Sequence, residues 1–199
     1  MTEPLNDFLA KQQAAFAAFR HVLSEESDRG CALFAAAYLD RALSDLLFVS
    51  LVAHKKIEED LFKANAPLST FSARIKMAYY LGKLSPSARR DLETIRSIRN
   101  DFAHHPEYID FTAQSIRDRC NNLTLVWHEP EARPRAKYTA SVSALLALIH
   151  VETLRAKAPD ECTETELDES FKLKIRTMAK ASVEAMERAQ ARDTSDDDA

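Results

Sequence analysis

The sequence contains very little glycine, since Gly30 and Gly82 are the only two in 199 residues. A Walker loop, a G-x-G-x-x-G dinucleotide turn and a G-x-S-x-G nucleophile elbow each need closely spaced glycines. These phosphate-binding and hydrolase motifs are therefore excluded. Glycine makes up about 7% of an average protein, and its scarcity here favours helices joined by short polar connections.

Cysteine is also scarce, and long apolar runs are absent. Cys31, Cys120 and Cys162 are odd in number and form no C-x-x-C pair, which argues against a disulfide framework or a zinc site. No run of 18 apolar residues occurs, and the N-terminus lacks a basic stretch followed by an apolar core. We therefore predict a cytoplasmic protein without membrane contact, metal or cofactor.

Positive charge is in deficit overall but concentrated in one segment. The formal net charge is −4, so no global positive field attracts nucleic acid. Residues 74–99 nevertheless carry seven positive and two negative side chains. The predicted basic surface consists of Arg74, Lys76, Arg89, Arg90 and Arg96. It is either a binding surface or a pair of solvated helix faces. No helix-turn-helix accompanies it, so RNA and DNA are the less favoured partners.

Hydrophobic residues recur at three- and four-residue steps, which predicts an all-α helical bundle. We expect helices near residues 5–23, 31–52, 55–64, 71–81, 86–103 and 112–122 in a first domain, residues 1–123. The nearly all-apolar segment 31–52 is expected to be the central helix. A helical C-terminal extension, residues 124–192, and a disordered acidic tail, residues 193–199, complete the predicted organisation. Residues 123–127 are the single strand candidate.

Local signals define several helix ends. Gly82 is expected just beyond one helix, and Ser85 followed by Pro86 is typical of a helix start. Thr163 and Glu166 have the spacing of a capping box. The helix that follows carries a regular stripe at positions 171, 175, 178, 182, 185 and 189. That stripe packs either on the body of the protein or against a second copy.

The motif that stands out chemically is Arg99-Asn100 followed by His104. Arg99 falls within the apolar arc of its helix, and His104 lies about 140° away if the helix continues. Because a proline follows His105, we expect the chain to bend there and bring His104 back toward Arg99. A guanidinium and an imidazole together suit metal-independent phosphodiester chemistry.

A structural interpretation of the same residues is the alternative. In that interpretation Arg99 pairs with Asp40 or Asp45 of the buried helix. His104 then stabilises the C-terminus of its own helix, where a positive charge is favoured.

Residues 29–122 also resemble a known family. The segments CALFAAAYLDRALSDLL, PLSTFSARIKMAYYLGKLS and ETIRSIRNDFAHH resemble the mannitol operon repressor family and, more widely, the HEPN superfamily of small helical domains. The HEPN hallmark is R-x(4-6)-H, often R-N-x-x-x-H, and Arg99, Asn100 and His104 match it position for position.

The resemblance implies two different functions. Mannitol-repressor-like proteins are regulators thought to act through partner proteins, which predicts a non-catalytic transcriptional regulator that binds another protein. We also expect a homodimer, formed either through the surface that carries the Arg99 motif or through the helix at residues 164–190. Catalytic HEPN proteins are metal-independent ribonucleases in which two subunits bring their Arg/His pairs together across a dimer interface. In that alternative His104 is the general acid/base, Arg99 stabilises the phosphoryl transition state and Asn100 orients the pair.

Overall fold

The structure, a computed structural model, describes residues 17–105, 108–126, 129–161 and 168–196, and these contain helices but no strand. The prediction of an all-α fold is confirmed. The first compact unit, Met1–Asp160, contains α1 (residues 17–25), α2 (Asp28–Phe48), α3 (Lys55–Phe62), α4 (Phe71–Tyr80), α5 (Pro86–His104), α6 (Gln114–Asn121) and α7 (Pro134–Arg155). The second unit, Glu161–Ala199, contains α8 (Glu169–Asp196). None of the described helices is long and apolar enough to cross a membrane.

The core forms around α2, which packs against α4, α5 and α7. Its sequence is apolar on nearly every side, and such a helix is stable only when other helices surround it. On α5 the predicted apolar arc is fully buried, and it consists of Leu92, Ile95, Ile98 and Phe102. α2 is therefore the central helix, as the sequence predicts.

The C-terminus of α4 and the N-terminus of α5 determine where α5, the helix that carries Arg99, begins. Gly82 has a φ of +69°, a left-handed conformation that glycine adopts without strain. The Lys83 N–H then donates to the Ala78 carbonyl at 2.9 Å, so the chain turns sharply after α4. At the start of α5 the Ser85 hydroxyl accepts from the Ala88 N–H at 3.2 Å. Both predicted helix ends are confirmed.

α7 belongs to the core, which places the division between the two units after Asp160 and not after residue 123. Its side chains Tyr138, Val142, Leu145 and Ile149 are fully buried, and the Tyr138 hydroxyl donates to the Ala32 carbonyl at 3.2 Å. A proline also marks the start of this helix. Pro134 is the first residue of α7, a position that proline favours.

The strand candidate, residues 123–127, is not a strand in its described part, residues 123–126. The hydrogen bonds of the Asp91 side chain give the physical reason. This carboxylate is 1% exposed and accepts the N–H groups of Thr124 at 3.0 Å and Leu125 at 2.8 Å. A side chain of α5 thus satisfies backbone groups that a neighbouring strand would otherwise bind.

Two further predictions reach the limits of the described residues. The acidic tail predicted as disordered begins in a helix, because residues 193–196 belong to α8, and residues 197–199 lie outside the described part. The capping box at Thr163 and Glu166 and the beginning of the first helix also lie outside it.

Candidate functional site

A cleft of about 450 Å³ lies between α2, the first turn of α4 and α5. α5 contributes Arg96, Arg99 and Asn100 to it, residues spaced three and four apart, which places them on one face of the helix. The remaining walls are formed by Leu33, Ala36, Ala37, Asp40, Ser69, Thr70, Phe71 and Ser72. The residues from 69 to 72 were not predicted as site residues, although the S-T-F-S sequence does indicate a helix start.

Arg99 lies in this cleft and is exposed, so the expectation that it points into the packed core is wrong. Its Nη1 donates to the Oδ1 of Asn100 at 3.0 Å. Arg99 lies on the predicted face of α5, but the space between α2 and α4 next to Arg99 is an open cleft. A guanidinium avoids burial without a partner, and the cleft leaves it accessible to water.

His104 is not among the described residues that line the cleft. α5 remains helical through His104, so a position five residues after Arg99 lies about 140° around the helix axis. The chain leaves the helix only at His105, whose carbonyl accepts from Arg29 at 3.0 Å. The chain bends only after His104, so the bend does not bring the His104 side chain back toward Arg99. Within one chain the Arg99 and His104 side chains therefore do not come together.

The acidic residues expected to pair with Arg99 have other partners. Asp40 accepts from Nη1 of Arg74 at 2.6 Å, and Asp45 pairs with Arg41 at 2.9 Å. The predicted ion pair between Arg99 and the buried helix is therefore wrong. Helix α4 places Arg74 opposite Asp40, and this choice of partner depends on how the helices pack.

The predicted basic surface is largely engaged by other groups. Besides the pair of Arg74 with Asp40, the guanidinium of Arg89 lies over the Tyr79 ring, 5.2 Å from its centroid. Arg96 donates to Glu93 at 2.8 Å. Lys76 and Arg90 are exposed. The excess of positive charge counted along the chain therefore does not form one continuous unpaired surface.

The buried thiols offer no nucleophile at neutral pH. Burial raises the pKa of Cys31 to about 11 and that of Cys120 to about 12. The thiolate is the reactive form of cysteine, and it is therefore rare in both residues near pH 7. Within the described residues no group of three or more His, Cys, Asp or Glu side chains is placed to hold a metal ion.

An exposed aromatic face lies on the outer side of α2. Phe34 and Tyr38, one helical turn apart, are 46% and 48% exposed, and we call these two residues the α2 aromatic face. The Tyr38 ring is held by an edge contact with Phe19, with 4.8 Å between centroids. Large aromatic side chains of this kind are enriched where proteins bind one another. The nearly all-apolar sequence of residues 31–52 predicts a helix buried on all sides and gives no signal for this exposed face.

The fold and the sequence of the chain are both similar to known proteins. A chain of the X-ray structure of the MtlR–HPr complex from Escherichia coli matches with a TM-score of 0.54 and 21% identity, over 68% of this chain and 98% of that chain. This likeness shows a shared fold. No curated protein sequence matches. The family model described as mannitol repressor matches residues 32–158, well over half of the sequence, so the chain belongs to the mannitol repressor family.

Proposed function

We propose that this chain is a cytoplasmic transcriptional regulator that acts by binding a partner protein and not by reading DNA bases or by catalysis. The observation that carries the proposal is the match to the mannitol repressor family over residues 32–158. The structural neighbour is a complex with HPr, and we take an HPr protein as the proposed partner.

The α2 aromatic face is the proposed docking surface. Phe34 and Tyr38 are about half exposed on a helix whose other side forms the core, so the surface is rigidly held. Binding energy in protein complexes concentrates in a few such aromatic anchors. Arg41, one turn further along α2, is also exposed and adds a charge at the edge of the face.

Arg99 and His104 are not placed as a catalytic pair within one chain. A general acid/base must lie within hydrogen-bond reach of the reacting group. Arg99 lines the cleft while His104 is not among the described residues around it. The ribonuclease alternative therefore has its sequence hallmark, but its site is not assembled among the described residues of one chain and would require Arg99 and His104 of two chains to meet at a dimer interface.

Titration of the full-length chain with purified HPr, measured by calorimetry, tests the partner. We expect binding, and we expect Phe34→Ser together with Tyr38→Ser to weaken it at least about tenfold, because truncation of one anchor costs on the order of 1 kcal/mol or more. Ile57→Ser is the matched control, since Ile57 is 53% exposed on α3. Absence of HPr binding by the wild-type chain would overturn the proposed partner, and equal losses in both variants would overturn the docking surface.

A nuclease assay tests the non-catalytic part of the proposal. Purified chain is incubated with single-stranded RNA in EDTA, and we expect the RNA to stay intact. Cleavage that disappears in His104→Ala, with the helical circular dichroism unchanged, would replace the regulator by the ribonuclease.

Helix α8 is the proposed homodimer contact. Its stripe includes Phe171, Ile175 and Met178, which are 49%, 47% and 71% exposed, and the alternating four- and three-residue spacing suits pairing of two helices. We expect the wild-type chain to be dimeric by light scattering. Ile175→Glu with Met178→Glu should produce monomers, whereas Leu173→Glu, on the opposite side of α8, should not. A monomeric wild-type chain contradicts this contact.

A further inference from the structure

We propose that the outer side of α4, together with Arg89 of α5, binds a short acidic segment of a second partner protein. We call Lys76, Tyr79, Tyr80 and Arg89 the α4 basic-aromatic face. It shares no residue with the α2 aromatic face, so the two surfaces can bind different partners. The inference goes beyond the HPr partner and does not depend on it.

The four side chains of the α4 basic-aromatic face belong to one surface. Lys76, Tyr79 and Tyr80 are spaced three and four residues apart on α4, which places them on one side of the helix. Arg89 joins them from α5, because its guanidinium lies over the Tyr79 ring, 5.2 Å from the centroid. The Gly82 N–H donates to the Tyr79 carbonyl at 2.9 Å, so the end of α4 presents the face on an ordered turn.

This surface is positive and has few counter-ions. Residues 70–90 contain five basic side chains and no acidic one, and of these five only Arg74 forms an ion pair within the described part of the chain. Arg89 is half-buried, and its Nε has no hydrogen-bond partner among the described residues. A guanidinium that is partly removed from water gains from a carboxylate, which accepts two parallel hydrogen bonds from it. Arg89 therefore indicates a carboxylate supplied by another molecule.

The aromatic side chains indicate that the ligand also carries apolar groups. Tyr80 is 88% exposed and Tyr79 is 38% exposed. Tyrosine is a common anchor of protein interfaces, because it buries a large apolar ring and keeps a hydroxyl for a polar partner. A segment that combines Asp or Glu residues with an aromatic or aliphatic residue fits both the charge and the rings of this face.

The overall charge favours an acidic protein segment over nucleic acid. The formal net charge is −4 although residues 70–90 are strongly basic, so the remainder of the chain is acidic. A long polyanion bound to this face also approaches that acidic remainder, which repels it. A short segment meets only the positive face, because physiological salt screens charges beyond about 8 Å.

Fluorescence anisotropy with the full-length chain, in the absence of any partner protein, tests the proposal. The probe is a short labelled peptide composed of Asp and Glu with one Phe and one Leu. The control probe has Asn and Gln in place of Asp and Glu. We expect the acidic probe to bind and the neutral probe not to bind, and we expect the affinity of the acidic probe to fall as the salt concentration rises.

Matched variants locate the binding surface. Tyr80→Ser should weaken binding at least about fivefold, whereas Tyr108→Ser, at a tyrosine that is 89% exposed, should leave it unchanged. Lys76→Gln should weaken binding about twofold, whereas Lys157→Gln, at an exposed lysine just after α7, should not. Arg89→Lys keeps the charge but not the fork-shaped contact and should also weaken binding, with unchanged helical circular dichroism.

Three outcomes would overturn the proposal. These are no binding of the acidic probe at about millimolar concentration, equal binding of the acidic and neutral probes, or equal losses in Tyr80→Ser and Tyr108→Ser. A single-stranded oligouridine is measured in parallel, and binding of this probe alone would replace the acidic segment by nucleic acid. Because HPr is absent from every arm, failure here leaves the proposed HPr partner unaffected.

Discussion

Arg74 of α4 donates to Asp40 of α2 at 2.6 Å, and this pair determines how the cleft beside it is charged. The Arg74 side chain is 13% exposed and its guanidinium also lies 5.9 Å from the centroid of the Phe62 ring. Arg74 thus forms the ion pair with Asp40 that the structural interpretation of the sequence predicted for Arg99. Arg99, in turn, keeps its positive charge available in the cleft.

The first prediction contrasts these two arginines. Arg74→Ala leaves Asp40 partly buried without its partner, so we expect the free energy of unfolding to fall by about 1–3 kcal/mol. Arg99→Ala removes an exposed side chain and should change it by less than about 0.5 kcal/mol. Urea unfolding followed by circular dichroism measures both. A larger loss for Arg99→Ala than for Arg74→Ala contradicts the assignment.

The second prediction concerns Asp91, which holds the segment after α6. Asp91→Ala removes the acceptor of the Thr124 and Leu125 N–H groups, and we expect a loss of about 1–3 kcal/mol. Asp91→Asn keeps one acceptor oxygen and should lose less. The two variants are compared by urea unfolding, and an equal or greater loss in Asp91→Asn would mean that these hydrogen bonds are not the source of the stability.

The third prediction is a decrease of stability at alkaline pH. The pKa of Cys31 and that of Cys120 are raised to about 11 and about 12 by burial, above the ordinary value near 9. The unfolded thiols therefore lose protons first, and the folded state is progressively disfavoured as the pH rises from about 9 to about 12. Burial raises the pKa of Tyr138 as well, which acts in the same direction.

Urea unfolding at pH 8 and at pH 10 measures this dependence. We expect a lower midpoint at pH 10 and a smaller difference between the two pH values in Cys120→Ala than in the wild-type chain. An unchanged difference in Cys120→Ala would show that the thiol does not contribute.

The fourth prediction tests the domain boundary. A chain truncated after Asp160 keeps α7 and its buried residues, and we expect it to unfold cooperatively. A chain truncated after residue 123 loses Tyr138 and Val142 from the core and exposes the apolar side of α2. We expect it to unfold without a cooperative transition, because the core is no longer covered. Cooperative unfolding of the shorter chain would restore the boundary near residue 123.

Part of this structure follows from the amino-acid sequence because the forces involved are local. The Ser85 cap, the left-handed Gly82 and the spacing of the apolar arc on α5 depend on neighbours within a few residues along the chain, and all three are predicted correctly. The apolar sequence of α2 likewise requires a central position. The hallmark residues Arg99 and His104 could be found in the same way, as a motif near the end of a helix.

Tertiary packing decided what those residues contact. Asp40 binds Arg74 and not Arg99 because α4 lies opposite α2 at that level, and the gap beside them forms the cleft. α7 is joined to the core by contacts with α2, more than a hundred residues earlier in the chain. An ion pair, a cavity or a buried helix face depends on which element lies opposite, and the spacing of residues along one segment does not specify that element.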